Sequence, residues 1–417
     1  MTPVVIGTRC GEVKGLSDGK VRTFRGIEYA RCRRFGPARE TVGWDGVFDA
    51  TRPGTICPQP ARKIHGTGPA PDRSQSWDEN SLRLTIYTPE HAEKRPVMVW
   101  IHGGSYLVGG SEEVRYGGER LVLAGDVVLV KISYRLGALG YLWMPERGAV
   151  NLGLEDQRTA LAWIRNNIGD FGGDPENITV FGQSAGAQSI ACLMATYAER
   201  PPFRRAILES PPLGIGLSAE RAGRTARRFE SLLRKRGLDM DSASAAEFVE
   251  IQAQFTKNKM RLPFMPVTGL FPKDGGKFLK DINIAICYNA DETAPYLSGV
   301  LGPLLQTGAG RRITEAATRR IFLDPVRRYV AGMRALGAET SLYRMEWHPK
   351  GNPLGCCHCI EMPFLLGEYD DWKEARMLRG MTAEEFASNS AAMLASWTAF
   401  ATNGSPIENN LLAKYQM

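Results

Sequence analysis

A serine set between glycines at the end of a β-type run constrains this chain more than any other feature. Phe181-Gly182-Gln183-Ser184-Ala185-Gly186 follows Asn177-Ile178-Thr179-Val180 directly. A serine at the tip of a sharp strand-to-helix turn has its Oγ pushed into the open, and the strained backbone admits only very small neighbours. Gly182 and Gly186 meet that need. Because so short a pattern also recurs by chance, its weight depends on the residues around it.

Those residues read as an α/β chain. Asp18-Gly19 is a hairpin-turn signal between the β-type runs Glu12-Val13-Lys14 and Val21-Arg22-Thr23-Phe24, which predicts an antiparallel start. From Pro96 onward, strands alternate with helices: strands at 97–101 and 127–133, a helix over 154–168, then the elbow strand and its helix. Further strands are expected at 205–208, 282–287 and 341–347, and a long helix at 383–402. Such alternation argues for a mostly parallel sheet covered on both faces. With 417 residues, 43% of them hydrophobic, and no linker, repeat or low-complexity tract, the expectation is one domain over 1–417. The helix-rich, basic stretch 214–280 interrupts the strand series and reads as a cap insertion over the site.

Upstream of the elbow, Asn166-Asn167-Ile168-Gly169-Asp170-Phe171-Gly172-Gly173-Asp174-Pro175-Glu176-Asn177 closely resembles the signature of type-B carboxylesterases, the cholinesterase-like branch of the α/β-hydrolases. The resemblance extends from Phe24-Arg25-Gly26-Ile27-Glu28-Tyr29-Ala30, through Ser133-Tyr134-Arg135-Leu136-Gly137 and Asn151-Leu152-Gly153-Leu154-Glu155-Asp156-Gln157, to Trp397-Thr398-Ala399-Phe400-Ala401. It implies the α/β-hydrolase fold with a reduced helical cap, since 214–280 and the stretch between Glu292 and His358 are both short against the family pattern.

A serine hydroxyl is a poor nucleophile until a base takes its proton, and the base needs a carboxylate to fix its tautomer. Of five histidines, His65 lies in a Gly/Pro-rich loop, His91 near a surface turn, His102 in another motif, and His348 before a proline. His358 remains, in Gly355-Cys356-Cys357-His358-Cys359-Ile360-Glu361, which resembles the family's Gly-x-x-His-x-x-Glu loop. Asn289-Ala290-Asp291-Glu292-Thr293 resembles the family's acid loop, which implies Glu292 as the orienting carboxylate; Asp291 stays as the alternative. The order Ser184, Glu292, His358 is that of α/β-hydrolases. Trp100-Ile101-His102-Gly103-Gly104-Ser105-Tyr106 resembles the family's oxyanion loop. By that match the backbone N–H groups of Gly104, Ser105 and Ala185 would face the developing oxyanion.

Other readings carry less. The run Cys356-Cys357-His358-Cys359 invites zinc, but adjacent ligands cannot wrap one tetrahedral ion and no second Cys/His pair follows. The formal charge of +7 is spread along the chain without a nucleic-acid motif, so a solvated basic surface is expected. In its densest part, Arg221, Arg224 and Arg228 share one helical face while Phe229, Leu232 and Leu233 can face a core. There is no signal-peptide pattern and no run of membrane-spanning length. Cys57 matches a position where secreted relatives carry a disulfide, but the partner position holds Ser81, as a reducing, cytoplasmic setting permits. Gln183 stands where cholinesterases place glutamate, which argues against a choline-specific enzyme.

The resemblance thus implies a serine ester hydrolase that needs neither metal nor organic cofactor and acts on a small-molecule ester. Reduced cover over the site predicts an open pocket and short or medium acyl groups, acetyl to about hexanoyl. A relative that turns the same pocket to acyl transfer, cyclisation or elimination is the rival, because fold does not fix reaction. A noncatalytic adhesion or binding relative is the second, and the complete serine, histidine and carboxylate set argues against it.

Overall fold

In the computed structural model, which describes residues 1–60, 75–113, 115–256 and 262–416, the chain is built around a twelve-stranded mixed sheet. Strands β1 (Thr2–Thr8), β2 (Gly11–Ser17) and β3 (Val21–Glu28) form an antiparallel meander. The β2–β3 turn is made by Asp18, whose Oδ1 accepts from the N–H groups of Lys20 and Val21, and by Gly19 at φ +86°. Short β4 (Ala30–Arg31) and β5 (Arg39–Glu40) pair with each other, and β6 (Val47–Asp49) lies along β2. Strand β7 (Arg83–Pro89) is antiparallel to β3.

The parallel core follows. Strands β8 (Arg95–Ile101), β9 (Val128–Ile132), β10 (Gly173–Gln183), β11 (Arg205–Glu209), β12 (Asn283–Asn289) and β13 (Glu339–Met345) stand in the order β9-β8-β10-β11-β12-β13, all parallel. Strand β14 (Leu412–Lys414) closes the edge antiparallel to β13. Successive side chains of a strand point to opposite faces, and both faces here are covered. Val97, Val99 and Ile101 enter the core shared with the helices Leu152–Asn167 and Ala185–Thr196, while Met98 and Trp100 enter the core shared with the helix Ala383–Asn403. Burial on both sides explains the unbroken apolar run 97–101 of β8.

The long C-terminal helix starts where local chemistry directs it. Thr382 and Glu385 form a reciprocal capping box, and Gly404 ends the helix at φ +81°. The Tyr134-Arg135 segment is pinned by Arg135, whose guanidinium and backbone N–H bond the carboxylate of Asp156 inside the core. Strand β13 begins and ends two residues earlier than the strand expected at 341–347, and Met345 already gives its carbonyl to Ala290 N–H in the turn above.

Within 214–280 the helices Ala219–Arg234 and Ala245–Phe255 pack on the core through Phe229, Leu233, Phe248 and Ile251, and Arg221, Arg224 and Arg228 stay exposed. A second helical stretch, Ala294–Leu301, Gly308–Thr318 and Asp324–Ala335, joins β12 to β13. The loops that leave the C-terminal ends of β8, β10, β12 and β13 gather at one edge of the sheet, where ligands of parallel α/β sheets bind.

Candidate active site

Strand β10 delivers Ser184 at φ 56°, ψ −117°, a strained conformation between the strand and the helix Ala185–Thr196. The turn is held by Ser184 N–H, which donates to Glu209 O at 2.8 Å. It is also why the flanking residues are glycines. A Cβ on Gly182 would sit 2.7 Å from Ile101 O, and one on Gly186 only 2.0 Å from it.

Above β12 and β13, His358 and Glu292 meet. His358 Nδ1 lies 2.5 Å from Glu292 Oε2, both side chains essentially inaccessible, and Glu292 Oε1 accepts from Asn289 N–H at 2.9 Å. Asp291 is turned elsewhere. Its Oδ2 accepts from Cys356 N–H at 3.0 Å, and its own N–H donates to Cys356 O at 2.8 Å, so it ties the acid loop to the histidine loop. Gly355, at φ +65°, leaves room for that carboxylate, since a Cβ there would be 2.3 Å from Asp291 Oδ2. Burial raises Asp291 above the usual carboxylate range.

The other histidines lie apart. His102 is buried against the ring of Tyr134, its Nδ1 is spent on Gly103 O at 2.7 Å, and desolvation lowers it to about 4. His91 and His348 are exposed, and His65 falls outside the described residues. Cys356 is buried and donates to Met345 O, and Cys57 Sγ accepts from Leu136 N–H while Ser81 stays buried. Among the described residues no group of three or more His, Cys, Asp and Glu could hold a metal ion.

Over β8, Gly104, Ser105 and Tyr106 all have positive φ (111°, 57° and 59°) and fold the loop back on itself, with Leu107 and Val108 N–H donating to Gly104 O. Only glycine fits at 104, where a Cβ would lie 1.9 Å from Val108 O. Among the described residues the N–H groups of Gly104, Ser105 and Ala185 make no hydrogen bond. All three residues line cavities that open on Ser184. The larger cavity, about 170 Å³, is walled mainly by Ile215, Leu262, Leu297, Ile321 and Phe322. The smaller, about 30 Å³, adds Gln183, His358, Cys359 and the partly buried Arg115–Glu113 pair. The stretch 214–280 thus contributes Ile215 and Leu262 to the walls, and the stretch between β12 and β13 contributes the rest of the roof.

Four features were not read from the sequence. Gln183 Nε2 approaches His358 Nε2 at 3.2 Å. Tyr296 and Phe322 set their rings 5.7 and 5.4 Å from that of His358. Phe322 belongs to a π-helical turn, Arg319–Leu323, and Pro325 supplies the signal that could have revealed it. Having no N–H, Pro325 cannot bond the carbonyl of Ile321 four residues back, so the helix loosens and that carbonyl takes Gly214 N–H instead. Finally, Glu361 accepts from Asn289 Nδ2 at 2.6 Å, next to buried Glu209, which is held by Trp397 Nε1. Burial, then the charge of Glu292, pushes Glu361 up to about 7; burial and then Glu361 push Glu209 far above the carboxylate range. Glu361 closes the Gly-x-x-His-x-x-Glu motif, so its position was visible even though its surroundings were not.

The carboxylesterase family matches residues 2–304. A probable N-octanoylanthranilate hydrolase of Rhodococcus erythropolis is 35% identical, with 94% of this chain and 92% of that one aligned. Para-nitrobenzyl esterase of Bacillus subtilis (strain 168) is 31% identical over 97% and 91% of the two chains. Among solved structures, a thermophilic pNB esterase superposes with a TM-score of 0.82 at 28% identity, covering 99% of this chain and 94% of its own.

Proposed function

The chain belongs to the carboxylesterase family and is a serine carboxylesterase, and from that premise we propose how its residues divide the work. Ser184 adds to the ester carbonyl, His358 takes the proton at Nε2 and returns it to the departing alcohol, and Glu292 holds His358 and stabilises its imidazolium. The N–H groups of Gly104, Ser105 and Ala185 receive the oxyanion, each contributing about 3 kcal/mol at the tetrahedral stage. Water then repeats the sequence on the acyl-enzyme. The observation that carries this reading is the 2.5 Å contact of two buried side chains, His358 and Glu292, beside a serine at positive φ.

The substrate is a small ester with a short or medium acyl group. The apolar cavity of about 170 Å³ beside Ser184 ends at Leu297, Ile321 and Phe322, and each CH₂ it buries is worth about 0.8 kcal/mol. The octanoyl group in the name of one relative is two carbons longer than hexanoyl and extends the proposed range to octanoyl. The chain acts as one domain over 1–417, with 214–280 as part of the cover. Its eight free cysteines suit a reducing compartment such as the cytoplasm.

A fluorophosphonate probe should label Ser184 alone, and Ser184→Ala should lower kcat about a million-fold. Labelling of another serine overturns the assignment. Across p-nitrophenyl esters from acetyl to palmitoyl, kcat/KM should peak at or below octanoyl. A maximum at lauroyl or beyond overturns the acyl range, and no turnover with any member favours a nonhydrolytic use of the pocket.

A further inference from the structure

Deeper in the same site, the resting position of the base carries a consequence that rests on reading His358 as that base. Glu292 is fully buried, and its Oε2 is 2.5 Å from His358 Nδ1. A buried carboxylate there requires the proton on Nδ1, so the neutral ring offers a single acceptor lone pair, at Nε2. Gln183 Nε2 stands 3.2 Å from that nitrogen, with both side chains buried. The amide must present its NH₂ to the ring, because Oε1 in that place would oppose two acceptors. Its Oε1 lies instead toward Gly103, where a Cβ would be 2.9 Å from it. Among the described residues no hydrogen bond joins Ser184 Oγ to His358.

We propose that Gln183 is a positioning residue that holds His358 off Ser184 between turnovers, by donating to the one Nε2 lone pair that the serine hydroxyl needs. Acylation then includes breaking the Gln183–His358 bond. A carboxylate at 183 could only accept, so it cannot make this bond to the Nε2 lone pair. Among the described residues, the groups around His358 are Glu292 from the acid loop, Cys359 and Glu361 from its own loop, Tyr296 and Phe322 from the roof, and the Arg115–Glu113 pair across the small cavity. A new carboxylate at 183 would join Glu292 beside the ring and favour its charged form.

The test uses the full chain and three forms of position 183. Gln183→Met keeps the length and removes the donor, so fluorophosphonate labelling of Ser184 at neutral pH should be three- to tenfold faster, the factor for one net hydrogen bond. Gln183→Glu should move the acid limb of the kcat/KM profile to higher pH by about one pH unit. Labelling of Gln183→Met at or below the parent rate overturns the proposal, as does an unmoved acid limb in Gln183→Glu. If the methionine does not fold, Gln183→Ala serves for the same rate comparison. His358→Gln separates the two readings. Loss of labelling there together with an unaccelerated Gln183→Met sinks only the holding role, while labelling that survives His358→Gln sinks the base assignment itself.

Discussion

The ring of Phe322 lies 5.4 Å from the imidazole of His358, tilted by 51°, and Tyr296 approaches the same imidazole at 5.7 Å. Two aromatic groups thus confine a side chain that meets Glu292 at Nδ1 and Gln183 at Nε2. Phe322→Leu should keep most of the buried volume but lose the π face that stabilises an imidazolium, worth about 1 kcal/mol. The expected result is a fall of up to about tenfold in kcat with KM little changed. A change confined to KM would mean that Phe322 acts only as a pocket wall.

Glu292 and Asp291 are neighbours with separable roles. Glu292→Gln leaves the geometry but presents the wrong partner to Nδ1, and should lower kcat by about 10⁴. Asp291→Asn keeps an acceptor for Cys356 N–H, so its effect should be within about tenfold. Steady-state rates on a p-nitrophenyl ester decide between them, and equal losses would contradict the division.

The sheet and the elbow were legible because each is a local pattern: glycines at forced close approaches and apolar runs on strands buried on both faces; the acid, histidine and oxyanion loops were read from their likeness to the family's motifs. The choice between Asp291 and Glu292 was not legible, since adjacent carboxylates on a loop differ only in where the chain turns them, and that turn depends on Gly355 and Cys356 of a distant loop. The contact of Gln183 with His358 joins residues 175 positions apart. Nothing near either residue encodes it. The π-helical turn lay between these extremes, for Pro325 marks a missing hydrogen bond locally while the partner that repairs it, Gly214, comes from before the cap helices.

That repair makes Gly214 a position of consequence outside the catalytic loops. An added Cβ would meet Ile321 O at 2.6 Å and Pro325 Cγ at 2.8 Å, and neither can yield without moving the turn that carries Phe322. Gly214→Ala should cost about 1–3 kcal/mol of stability and change the ratio of kcat/KM for butyryl and octanoyl esters. Thermal denaturation and that ratio are the measurements, and a variant identical to the parent in both would show that the turn is not held there.

Glu361 gives the fold a pH dependence of predictable sign. Its folded value is raised from 4.5 to about 7, by burial first and by Glu292 second, with Asn289 opposing. Between those two values the folded chain binds more protons at this site than the unfolded chain, so stability falls as pH rises. The contribution is fully present below about pH 4.5 and lost as pH climbs through about 7, amounting to about 3 kcal/mol. Glu361→Gln retains an oxygen for Asn289 Nδ2 and removes the titration. The slope of Tm against pH between 5 and 8 should therefore flatten in the variant, with Glu209, which burial also raises, contributing to what remains. A variant with the parent's slope would mean that Glu361 is ionised throughout that range, and that Asn289 and Ser210, its hydrogen-bond partners in the core, compensate its charge where burial opposes it.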